Sequence, residues 1–60
     1  MRVQIPAYTD RWMMGDRYGE VISTHLTKSK KTGDEIEVAV VEMDKSGRVI
    51  RVVLDDCQVI

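Results

Sequence analysis

Tyr8, Arg11, Trp12, Arg17 and Tyr18 sit close together in the chain, with Met13 and Met14 among them. Aromatic and arginine side chains dominate binding hot spots because they offer large, stiff, partly polar contact area. Methionine adds a soft surface that adapts to a partner. The spacing therefore predicts a partner-binding surface made by Tyr8, Arg11, Trp12, Met13, Arg17 and Tyr18. The same residues also have a structural use: Trp12 and a methionine can close one end of a small core.

Lys28, Lys30 and Lys31 form a basic segment. With Arg11 and Arg17 on the same side it would make a phosphate-contacting surface for RNA or DNA. Against this stands the overall charge. The chain has 9 Lys+Arg and 10 Asp+Glu, a net charge of −1, whereas nucleic-acid binders usually carry a basic excess. A solubilising hairpin tip that blocks edge pairing is the favoured reading of the lysines.

Other chemistry-bearing residues lack partners at motif spacing. Asp55 and Asp56 are adjacent in a turn, where Asp usually bonds backbone N–H groups. His25 is the sole histidine and Cys57 the sole cysteine. One of each does not make a zinc site, and a reactive thiol needs an electropositive pocket. No catalytic residue, cofactor or metal is expected.

The elements that hold these residues read as strands. Val3 and Ile5 alternate with Arg2 and Gln4 until Pro6, which cannot donate to a ladder. Ala7–Arg17 reads as a loop folded back over one end of the core. Gly15 and Gly19 frame the entry to a strand from Tyr18 to about Thr27. After the polar loop Lys28–Asp34, a third strand runs from Glu35 to Met43. Ile36, Val38 and Val40 share one face there, opposite Glu35 and Glu37. The apolar phase then changes at Val41 and Met43, which predicts a bulge or sharp bend near Val40–Val41. Asp44–Gly47 is a hairpin turn with glycine in the left-handed position. Arg48–Leu54 is a fourth strand with Ile50, Val52 and Leu54 inward. Val49, Arg51 and Val53 then face outward as a self-association stripe. A single turn at Asp55–Cys57 leads to a last strand, Gln58–Ile60. Five short strands without room for a crossover helix must pair mostly antiparallel. The expected fold is an all-β, five-stranded, strongly bent antiparallel small barrel, one domain over residues 1–60.

This pattern resembles the Src-homology-3-like barrels, including the KOW and Tudor modules. The likeness lies in strand count, turn placement, Gly15-x-x-x-Gly19-x-Val21 and the ending Val52–Cys57. It implies a binding module for peptides, RNA, modified side chains or other subunits. With only Tyr8, Trp12 and Tyr18 as aromatics, a Tudor-type cation cage is not apparent. Nor can the acidic loop and aligned aromatics of a proline-peptide groove be placed.

Sixty residues support only a small core, which favours docking or oligomerisation as added stabilisation. No apolar run reaches membrane-spanning length. The opening Met1–Ile5 alternates and lacks the apolar core of a secretory leader, which predicts a cytoplasmic protein. The leading expectation is a non-enzymatic protein-interaction or self-assembly module whose partner is another protein or a second copy. The alternatives are a KOW-type nucleic-acid contact through Arg11, Arg17, Lys28, Lys30 and Lys31, and, more remotely, a pore-type oligomeric reductase.

Overall fold

Short β-branched runs separated by glycine-bearing turns favour strands joined by tight connections. The computed structural model describes all of Met1–Ile60. Its strands are β1 (Arg2–Gln4), β2 (Tyr18–Lys28), β3 (Glu35–Met43), β4 (Val49–Val53) and β5 (Gln58–Val59). They form one antiparallel sheet in the order β4-β3-β2-β1-β5. The expected all-β, five-stranded antiparallel build holds; no ladder joins β4 to β5, so the hydrogen-bonded sheet is open between these two strands. A single turn of helix, α1 (Asp10–Met13), lies between β1 and β2, and a 3-10 turn (Leu54–Asp56) between β4 and β5. No helix is long and apolar enough to cross a membrane.

Val3, Ile5, Ala39, Val41, Met43 and Val52 form the buried core, and Trp12, Val21, Ile50, Leu54 and Cys57 pack against it. The expected inward placement of Val52 and outward placement of Val49 and Arg51 both hold. In β3 the backbone alternates faces without interruption. The odd-numbered residues share one face throughout, from exposed Glu35 to buried Ala39, Val41 and Met43. The sheet outruns its core, so one face passes from water to packed interior. The register shift lies in β2 instead, between Val21 and Ser23, and Ile22 is the extra residue. It sits opposite the expected place, on the partner strand.

Gly19 is required for close approach. A Cβ there would lie 2.6 Å from the Glu42 carbonyl oxygen and 2.6 Å from Cγ1 of Val41. The two long hairpins share one turn design. Ser29 N–H donates to Asp34 O, and Gly33 N–H to Ser29 O. Likewise, Met43 N–H donates to Arg48 O, and Gly47 N–H to Met43 O. In both, glycine closes the loop with positive φ, 76° at Gly33 and 72° at Gly47. In both, a hydroxyl one residue earlier accepts the N–H two residues on: Thr32 from Asp34 and Ser46 from Arg48.

Along β2, β1 covers only Tyr18–Glu20, and along β3, β4 covers only Val38–Glu42. Beyond them β2 and β3 continue as a two-stranded arm. The molecule is accordingly elongated, 33 Å in its longest dimension, with a radius of gyration of 11.3 Å. A compact chain of this length would have about 10.4 Å.

Candidate functional site

The connection from Ile5 to Arg17 is a closed flap. Ile5 N–H donates to Arg17 O at 2.8 Å, joining its two ends. Pro6 is buried, and its carbonyl accepts both the N–H and the hydroxyl of Thr9. The Thr9 hydroxyl then accepts the Trp12 N–H at 3.3 Å, capping α1. Such a cap offsets the nucleation cost of a turn too short to persist alone. The sequence suggested a loop here; local capping makes part of it helical.

Several expected contact residues are used within the flap. Trp12 is half-buried against the core, and the Arg17 guanidinium lies over its ring, 4.6 Å from the centroid. Asp16 is buried and faces Arg11, with Nη1 3.8 Å from Oδ2. Tyr8 donates its hydroxyl to Asp56, tying the flap to the 3-10 turn. That hydrogen bond, helped by partial desolvation and the Asp56 charge, pushes the Tyr8 phenol up to about 12.

Exposed apolar surface remains above this framework. Met13 is 81% exposed, Tyr8 70% and Met14 65%. Tyr18, on the face shared with Gln4, is 46% exposed. The flap thus divides into a holding set (Arg11, Trp12, Asp16, Arg17) and a presenting set (Met13, Met14), with Tyr8 in both: its hydroxyl ties the flap to Asp56 while the residue stays exposed.

The stripe Val49, Arg51 and Val53 lies on the sheet face opposite the core, opposite Glu42, Val40 and Val38 of β3 respectively. Val49 and Arg51 are exposed and Val53 is half-buried. Lys28, Lys30 and Lys31 are exposed at the tip of the arm. Arg11 and Arg17 precede the other end of β2, so the structure does not bring these basic groups into one patch.

The remaining chemistry is structural or isolated. Cys57 donates to Val53 O, and burial, with the nearby Asp56 charge, pushes its thiol up. His25 is exposed and stands opposite Val38. No three His, Cys, Asp or Glu side chains converge as metal donors would. Arg2 pairs with Asp44 in the β3–β4 turn, which holds the Asp44 carboxyl below the usual carboxylate range. The N-terminal ammonium meets Glu20 at 2.9 Å.

Comparison with protein-family models, curated proteins and solved structures gave no match.

Sequence reading missed the uncovered edge of β2, where Ile22 is 56% and Leu26 63% exposed. Its trace in the sequence is the adjacent pair Val21–Ile22, two apolar residues that break the strand's alternation. The Tyr8–Asp56 tie left no such trace, since it joins residues far apart in the chain.

Proposed function

We propose that this chain is a non-enzymatic protein-docking module of Src-homology-3-like build. The strand order β4-β3-β2-β1-β5 and the 3-10 turn before the last strand support that architecture. The observation that carries the functional reading is the division of the flap. Tyr8, Met13 and Met14 are held outward by a capped, ion-paired base. A preorganised apolar surface loses little freedom on binding, which favours affinity. Arg11 and Trp12 contribute by position, while the methionines and Tyr8 make contact.

A nucleic-acid role is less well supported, because the basic residues are divided between the two ends of β2. Filter binding with mixed RNA and DNA at low salt tests the choice. No retention at micromolar protein is expected. Retention that falls steeply with added salt would overturn the proposal.

A further inference from the structure

We propose that the free edge of β2, Ile22–Lys28, pairs antiparallel with the same edge of a second copy about a twofold axis at His25. This rests on the reading of the chain as an interaction module and names one partner for it. The edge is unusual within this sheet. β4 offers a shorter edge carrying Arg51, and β5 is only Gln58–Val59. On β2, β1 ends its pairing at Glu20, and the Met1 carbonyl takes the Val21 N–H. From Ile22 onward every β2 residue is exposed, and no strand covers that side.

The backbone is set for pairing. Ser29 N–H points into the hairpin, to Asp34 O. Hydrogen-bonded and non-hydrogen-bonded positions alternate along an antiparallel pair. Counting back from Ser29, Lys28, Leu26 and Thr24 direct their N–H and C=O groups outward. Unpaired edge groups of this kind template another strand. Natural edges usually carry guarding charges or proline, and here the only charge is Lys28 at the far end.

A twofold between identical antiparallel edges must leave each residue on its own face. Centring it on His25 uses the whole free segment without meeting β1. Thr24 then pairs with Leu26 of the second copy, Ser23 with Thr27, and Ile22 with Lys28. The two lysines lie at opposite ends, so no like charges oppose each other. The two exposed Leu26 side chains become diagonal neighbours on one face. A centre at Thr24 would drive Lys28 against Arg2 of β1, which already occupies the place beside Glu20. The result is an isologous dimer with one continuous sheet.

The interface is small and mostly backbone, so a Kd of roughly 50 µM is expected. Sedimentation of the full chain from 10-fold below to 10-fold above about that value is the test. The expected result is a monomer that becomes a dimer, with Thr24 and Leu26 amides exchanging about five-fold more slowly at the top concentration. Thr24→Pro removes only an outward N–H, and proline is tolerated at such edge positions. It is expected to stay monomeric with an unchanged circular dichroism spectrum. His25→Lys sets like charges across the axis and is expected to weaken the dimer about two- to five-fold. Should Thr24→Pro fail to fold, the exchange of the unmodified chain decides alone. A monomer at every concentration, or a dimer that survives Thr24→Pro, would overturn edge pairing. The double variant Tyr8→Ser/Met13→Ser is expected to dimerise normally. Loss of its dimer would overturn edge pairing and assign self-association to the flap, whereas a monomeric unmodified chain leaves the docking role of the flap standing.

Discussion

Replacing Gly19 by alanine should destabilise the fold strongly, against the usual sign of such a change. Gly→Ala at a compatible site normally stabilises by about 0.4–1 kcal/mol, by restricting the unfolded chain. At Gly19 the new methyl would stand 2.6 Å from the Glu42 carbonyl oxygen and 2.6 Å from Cγ1 of Val41. Neither neighbour can swing aside: one is backbone of the interior strand β3, the other a fully buried β-branched side chain. Overpacking usually costs about 1–3 kcal/mol, and these contacts place Gly19→Ala near the upper figure. A domain of this length has a total stability of roughly 3–9 kcal/mol. A loss of about 3 kcal/mol corresponds to a fall in Tm of about 12–24 °C. Thermal unfolding followed by circular dichroism measures it. Gly33→Ala is the control: it has open space but positive φ, so strain alone costs it about 1–2 kcal/mol. An unchanged or raised Tm for Gly19→Ala would refute the packing of β2 on β3 described above.

Arg11→Ala should cost about 2 kcal/mol in urea unfolding, because it leaves the buried Asp16 carboxylate without its cation. No loss would mean that Asp16 needs no partner. The Arg2–Asp44 pair gives a pH dependence. Because Asp44 is lowered in the fold, its contribution is complete above the ordinary aspartate pKa and disappears as pH falls through the lowered value. Asp44→Asn should therefore flatten the acid limb of a stability–pH curve, and an unaltered limb would contradict the pairing. Ultraviolet titration should show Tyr8 ionising at about 12, and Asp56→Asn should return it toward ordinary tyrosine. An unshifted phenol would mean that the flap is not tied to the 3-10 turn.

Local chemistry made much of the fold legible. The limits of β3 follow from the polar turns on either side, and Gly47 takes the left-handed conformation its turn requires. The outward placement of Val49 and Arg51 follows from strict alternation in β4. What escaped was set by tertiary extent. The change of apolar phase in β3 looked like a bulge, yet it marks where the sheet leaves its core. The true bulge at Ile22 is visible only once β2 and β3 are aligned. The helical turn at Asp10–Met13 depends on the Thr9 cap and on support from the core beneath Trp12. Among the candidate contact residues, type and spacing located the flap. They did not separate the side chains that hold it from those it presents, because that division depends on burial.

Cross-linking from inside cells tests the docking role most directly. A photoreactive residue at position 13 should yield a discrete adduct with a different protein that Tyr8→Ser/Met14→Ser abolishes, while the same probe at Lys30, beside the paired β2 edge, yields at most an adduct with a second copy. Nucleic-acid adducts in place of protein, or equal yields from both positions, would contradict it.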